Sequence, residues 1–239
     1  MSRAVAPLRL LLTCEHGGHR VPAACAARFR GHHDVLTSHR GWDLGALVVA
    51  RQLARAFGVP LLAATVSRLV VDLNRSPEHP RVISELLGEL SASERARLLT
   101  QLHRPHRHQV ERAVARLRQR GAEVLHIAVH SFTPVLDGVE RRADIGVLFD
   151  PSRRAEGAFH RRWKRGFAAA APAWKVLANH PYRGTSDGLT TTLRRQFPRG
   201  YLGIELELNQ RLFAEDRRTW RHVGARVVQA LAAALDDQG

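Results

Sequence analysis

The sequence predicts an α/β fold in three layers, a mixed and mostly parallel sheet with helices on both faces. Three observations carry that expectation. Short apolar runs bounded by turn residues alternate along the chain with longer stretches of helical period. Two of those runs lead into histidine, at His16 and His130, as strands do when they deliver side chains to the carboxyl end of an open sheet. Finally, 239 residues with 44% apolar content suffice for one substantial core, so the expected organisation is a single domain over residues 1–239.

Taken in order, Leu8 to Cys14 reads as a buried strand that breaks into Glu15, His16, Gly17, Gly18 and His19. The paired glycines permit dihedrals a Cβ would forbid and let backbone come close to whatever His16 holds. Ala23 to Phe29 reads as a helical turn and Gly31 to Gly41 as a polar, histidine-rich loop. Asp43 opens an amphipathic helix over Leu44 to Phe57, which Gly58 and Pro60 end. Leu61 to Val66 is a second strand, and Ser67 to Leu73 a third apolar run that Pro77 stops after Asn74, Arg75 and Ser76. Ser91 and Glu94 form a capping box, after which the helical period runs to about Arg120 with one interruption at Pro105. Strands at Val124 to Val129 and Ile145 to Phe149 follow, then a helix from Arg153 to Ala171 and a brief strand from Lys175 to Ala178. A polar loop from Asn179 to Gly188 precedes the alternating stretch Leu202 to Leu208 and a last helix, Ala214 to Leu235.

Composition excludes several classes. Two cysteines are too few for a disulfide framework and point to reduced thiols in a cytoplasmic protein. Arg9 leaves the first apolar run too short for a secretory core, and no segment reaches the length of a membrane span. The formal charge of +15 raises nucleic-acid binding as a rival class, but only Lys164 and Lys175 among the cations are lysines. Arginine and alanine enrichment of that kind follows from GC-rich coding. The arginines also lack the interleaved aromatics of single-strand binders.

The chemistry-bearing residues fall into three groups. His16 and His130, at the ends of two strands, would converge on one crevice. A catalytic zinc typically takes three protein ligands and leaves one position open, so a third is needed. Asp43, at a loop-to-helix junction, is the first choice, with Glu15 and His19 as alternatives; Asp43 could equally serve as a helix N-cap. Arg68, Asn74 and Arg75 place two guanidiniums and an amide at the end of an apolar element, a clamp for an anionic group unless both arginines pair with acids such as Asp72. In Leu202 to Leu208, Glu205 and Glu207 share a face, which is costly in an apolar strand unless something positive opposes them. One of them is then the general base for hydrolysis; the alternative is a solvent-facing edge strand.

Six blocks, in order, resemble those of the N-formylglutamate amidohydrolase family: Cys14-Glu-His-Gly-Gly-His-Arg-Val-Pro22, the Asp43 region, Arg68-Leu-Val-Val-Asp-Leu-Asn-Arg75, Val129-His-Ser-Phe132, Asn179-His-Pro-Tyr-Arg-Gly184 and Glu207-Leu-Asn-Gln210. They run from about Leu10 to Gln210 and so cover most of the chain. The Asp-Leu-Asn-Arg block is also similar to aspartoacylases and, more distantly, zinc carboxypeptidases. The resemblance implies a zinc-exopeptidase-like fold, one Zn2+ and hydrolysis of a short acyl amide on a small anionic amino acid such as N-formyl-L-glutamate, within amino-acid metabolism such as histidine degradation. It implies Glu207 as the base with Glu205 in reserve, and a loop in which His180 or Tyr182 closes over substrate. His19 stands where those relatives carry the glutamate of a His-x-x-Glu ligand pair, so Asp43, Glu15 and His19 stay open as the third ligand. A related carboxypeptidase-like or aspartoacylase-like hydrolase and a non-catalytic basic binding protein are the alternatives.

Overall fold

The structure, a computed structural model, describes residues 6–213 and 217–237. Strand β1 (Leu8–Cys14) is followed by a 3-10 turn (Ala23–Phe29), the short helix α1 (His33–Thr37) and helix α2 (Ala46–Phe57). Then come β2 (Leu61–Ala63), α3 (Ala92–Leu98), α4 (Arg104–Gln119) and β3 (Glu123–Phe132). A small hairpin of β4 (Val135–Leu136) and β5 (Val139–Glu140) precedes β6 (Ile145–Leu148), α5 (Arg154–Ala170) and β7 (Val176–Ala178). Helix α6 (Leu189–Gln196), strand β8 (Tyr201–Asn209) and helix α7 (Arg217–Asp236) complete the order.

Six strands make the main sheet in the order β2-β1-β3-β8-β6-β7. The first four are parallel, whereas β6 and β7 run the other way, β6 meeting β8 antiparallel. This is the expected mixed, mostly parallel sheet. Strand alternation sorts its side chains into two layers of packing. Leu12, Cys14, Leu125, Ile127, Val129, Ile204, Leu206 and Leu208 bury against Val49 and Leu53 of α2, Phe159, Trp163 and Phe167 of α5, and Val227 and Leu231 of α7. On the opposite face Leu11, Val124 and Tyr201 pack on Val110 and Val114 of α4 and Leu189 and Leu193 of α6. Toward the carboxyl ends of the central strands this second face turns polar, with His130 beside Glu207 in register and Glu205 two residues before it.

The helix signals are local and hold. Ser91 and Glu94 form a reciprocal capping box at α3. The interruption at Pro105 is a five-residue π turn, Leu99–His103, after which the proline occupies the first turn of α4, where its missing N–H costs nothing. Several expectations need correction. Ser67 to Leu73 is not a strand but a buried turn: Ser67 O accepts from Val70 N and Ser67 Oγ from Leu69 N, a local bonding choice that competes with extended structure. The loop Gly31 to Gly41 contains α1, and Leu61 to Val66 shortens to β2 plus an isolated bridge between Arg20 and Val66. Helix α6 and the hairpin were not expected. Of the last helix, Ala214 to Asp216 lie outside the described residues. Gly17 and Gly18 do not adopt positive φ; a Cβ there would lie 2.9 Å from Ala64 O and 2.8 Å from Thr65 O, so they admit neighbouring backbone, not a ligand.

One buried ion pair ties α5, α6 and β8 together. Arg194 Nε donates to both oxygens of Glu156 at 3.0 and 3.2 Å, while its terminal nitrogens donate to Gly184 O and Gly203 O at 2.5 and 2.6 Å. Removing Arg194 leaves Glu156 buried with Arg153 Nε at 3.1 Å and two backbone N–H groups as its remaining partners, and strips the Gly184 and Gly203 carbonyls of their donor. Arg194→Met should therefore cost about 3–5 kcal/mol of stability, read as a lowered denaturation midpoint; an unchanged midpoint would contradict this account.

Candidate active site

The polar end of the sheet opens into a cavity of about 290 Å³ lined by His16, Asp43, Arg68, Asp72, Asn74, Arg75, His130, Ser131, Tyr182, Arg183, Ser186, Asp187, Glu205 and Glu207. A larger apolar cleft lies at the other end of the sheet, against Leu8, Phe57 and Leu117, away from these groups. His16 arrives just past β1, His130 on the adjacent β3, and Glu205 and Glu207 on β8 next to β3. Asp43 comes from the segment before α2. Its N–H donates to His16 O at 2.9 Å, which sets the two segments side by side.

Asp43 is not a helix cap. Gly45, in the left-handed region with φ of 80°, is the capping residue, and the Asp43 carboxylate is free to reach across the sheet. There it accepts from His130 Nδ1 at 2.9 Å and from Ser131 N at 3.3 Å, and faces His16 Nδ1 at 3.4 Å. Ligand atoms of His16, Asp43 and His130 all lie within 4.8 Å of one another, and all three residues are buried. The outer nitrogen of each imidazole faces a different carboxylate. His16 Nε2 donates to Asp72 Oδ1 at 2.8 Å, and His130 Nε2 lies 3.2 Å from Glu15 Oε2, ion-pair distance without hydrogen-bond alignment. His16 Nδ1 is buried with no hydrogen-bond partner.

This arrangement fits a metal. A ligating histidine commonly presents one nitrogen to the ion and donates from the other to a carboxylate, which fixes its tautomer and raises its basicity. His16 does this, with Nδ1 inward and Nε2 donating to Asp72; His130 also turns Nδ1 inward, with the Glu15 carboxylate facing its Nε2 at 3.2 Å. The trio His16, Asp43 and His130 could hold a metal ion. Glu15 stands behind His130, between it and His106 at 3.5 Å, and His19 meets Trp42 in a tilted contact with ring centroids 5.2 Å apart.

The electrostatics follow from packing acids against imidazoles in a dry site. Burial opposes ionisation of Glu15, Asp43 and Asp72, yet their histidine and arginine partners hold all three carboxyls below the usual range. Burial likewise opposes charge on His130, and Asp43 and Glu15 overcome it, raising its pKa well above the ordinary value. Glu207 behaves oppositely. Burial raises its carboxyl to about 8, His130 opposing and Asp43 and Glu205 adding to the rise, and its Oε2 has no hydrogen-bond partner. Glu205 accepts from Thr190 Oγ1 at 2.5 Å. Strand β8 is thus central and fully buried, not a solvent-facing edge.

The arginines spend part of their forks on acids. Arg68 donates to Asp72 at 2.7 Å and to Asp43 at 3.4 Å, and Arg75 Nε lies 3.5 Å from Asp72 while its Nη1 meets His79 at 2.7 Å. Both remain about one-third exposed at the cavity, with side-chain accessibilities of 30% and 31%. Asn74 Oδ1 accepts from Leu189 N at 2.8 Å. Tyr182 reaches the cavity wall and accepts from Arg141 Nη1 at 3.0 Å. His180 is not among the lining residues; its carbonyl packs over Gly146, where a Cβ would meet it at 1.9 Å. Sequence reasoning named Asp72 only as an arginine partner, and missed Ser131, Arg183 and Asp187 as part of the wall. Asp72 had a signal, since it stands four residues from Arg68 inside an otherwise apolar run.

The family model described as N-formylglutamate amidohydrolase matches residues 8–214. The chain belongs to that family. The matched span includes every residue of the cavity wall, and the N-formylglutamate amidohydrolase family makes the chain an amidohydrolase, a hydrolase acting on amides. Among solved structures, it is similar to a gene product of Agrobacterium tumefaciens, with 32% identity and a TM-score of 0.80 over 95% of this chain and 90% of that one. An N-formylglutamate amidohydrolase from Ralstonia eutropha shares the fold, with a TM-score of 0.64 at 20% identity over 97% of this chain and 96% of that one. No curated protein matches. No helix among the described residues is long and apolar enough to cross a membrane.

Proposed function

We propose that the chain removes a formyl, or similarly short acyl, group from the nitrogen of an acidic amino acid such as N-formyl-L-glutamate, using one Zn2+ held by His16, Asp43 and His130. The observation that carries the reading is the meeting of His16 Nδ1, His130 Nδ1 and Asp43 Oδ2 in one cavity with Asp72 and Glu15 behind the two rings. A nitrogen and oxygen donor set with room for substrate suits zinc. The metal's contribution there is Lewis acidity, polarising the acyl carbonyl and making water acidic enough to attack near neutral pH.

The protein's own groups do the rest. Glu207 takes the proton of the attacking water and passes it to the leaving nitrogen, its buried Oε2 having no other hydrogen-bond partner. Glu205, on the same face, is the reserve. Arg75, Asn74 and Arg68 hold the substrate's carboxylate at the cavity wall, and Tyr182 closes over it, whereas His180 is better placed to support that loop than to touch substrate. A polar cavity of about 290 Å³ favours a small, charged substrate over a peptide.

The test offers N-formyl-L-glutamate, N-acetyl-L-aspartate and C-terminal dipeptides to one preparation, with and without a chelator. Cleavage of the formyl substrate that the chelator abolishes and Zn2+ restores is the expected result. Preference for dipeptides or for N-acetyl-L-aspartate would move the substrate to the related hydrolases, and activity indifferent to chelation would end the metal reading. Inactivity on all three, with DNA or RNA binding that survives His16→Ala and falls steeply with salt, would favour the basic binding class.

A further inference from the structure

A guanidinium outside the cavity wall holds the loop that carries two of its residues. Arg107, on α4, is 8% exposed. Its Nη1 donates to three successive carbonyls, Leu73 O at 3.3 Å, Asn74 O at 3.1 Å and Arg75 O at 3.0 Å, and its Nη2 donates to Thr192 Oγ1 at 2.6 Å. His103, one helical turn earlier, adds a bond from Nε2 to Arg75 O at 2.9 Å. Residues 73–75 belong to no helix or strand, so secondary structure does not satisfy these carbonyls.

The other side of the loop is tied to the start of α6. Leu189 N donates to Asn74 Oδ1 at 2.8 Å, and Ser76 donates from N and Oγ to Asp187 Oδ2 at 3.0 and 3.2 Å. The same helix carries Thr190, which bonds Glu205. Arg107 therefore joins the two segments at their backs, one end on the 73–75 backbone and the other on Thr192.

We infer that Arg107 is a positioning residue, which fixes Asn74 and Arg75 for substrate by gathering the three carbonyls beneath them and anchoring them to α6. The inference rests on the proposed function only in taking Asn74 and Arg75 as the groups that bind substrate carboxylate. Lysine cannot replace the planar fork, because a single ammonium does not span the carbonyls and Thr192 together.

The experiment compares wild type with Arg107→Gln, Arg107→Lys and Thr192→Val, measuring kcat and KM for N-formyl-L-glutamate, bound zinc, and amide hydrogen exchange by peptide. Arg107→Gln should raise KM by about tenfold to a hundredfold with kcat little changed, and Thr192→Val should do the same more weakly. Zinc content should stay at the wild-type level. Exchange should quicken in peptides covering residues 72–77 and not in those covering His16, Asp43 or His130. Quickened exchange throughout Arg107→Gln would assign the residue a general structural role, provided Thr192→Val, the milder change, behaves alike. A fall in kcat at constant KM, loss of zinc, wild-type KM in Arg107→Gln, or full rescue by lysine would overturn the inference. If wild type cleaves no N-acyl amino acid, the proposed function fails; the exchange at residues 72–77 still decides on Arg107, and its absence overturns the positioning role.

Discussion

His16→Ala and His130→Ala should each leave the purified protein without bound zinc and without hydrolytic activity, whereas Asp72→Asn should lower zinc affinity by about 10- to 100-fold and retain the site. The ordering follows from geometry. His16 and His130 present Nδ1 inward with Asp43, while Asp72 lies outside that trio, bonded to the outer nitrogen of His16 at 2.8 Å and to Arg68 at 2.7 Å. An asparagine there keeps a hydrogen-bond acceptor but loses the charge that makes the imidazole a better donor to the metal. Metal analysis after dialysis, with folding followed by circular dichroism, measures this series. Full zinc retention in both alanine variants would refute the assignment. Retention in His16→Ala with loss in Glu15→Gln would shift the centre to the Glu15, His106 and His130 side of the cluster.

How much of this was legible in the sequence divides along physical lines. Strand β1, helix α2 and the capping box of α3 were readable because apolar period, closing glycine and Ser-x-x-Glu spacing are written within a few residues. The convergence of His16 and His130 was readable too, since parallel neighbouring strands must bring their carboxyl ends together, and β1 and β3 are neighbours. The role of Asp72 was not. Its bond to His16 spans 56 residues and depends on Ser67 to Leu73 folding as a turn, while the apolar content of that run argued for extension. Asp43 was ambiguous between ligand and cap because both need an acid before a helix. Only the backbone at Gly45, with φ of 80°, assigns the capping position elsewhere. Helix α6 was hidden by its threonines, Thr190, Thr191 and Thr192, which form helices poorly and here bond Glu205, Ser186 and Arg107.

Glu207→Gln should lower kcat by about a hundredfold to ten-thousandfold with zinc retained, the usual loss when a general base is removed. The amide keeps the shape of the side chain and cannot take a proton. Glu205→Gln is expected to be milder, because Glu205 already accepts the Thr190 hydroxyl at 2.5 Å while Glu207 Oε2 is buried without a partner. Arg75→Ala should act differently, mainly raising KM, since a carboxylate clamp is engaged in the ground state as well as in the transition state. Pre-steady-state and steady-state rates on the three variants, beside zinc content, separate these effects. Near-normal turnover in Glu207→Gln with collapse in Glu205→Gln would exchange the two roles. Survival of turnover in both would remove the carboxylate base altogether, leaving the proton to be carried by a group that sits on neither position of β8.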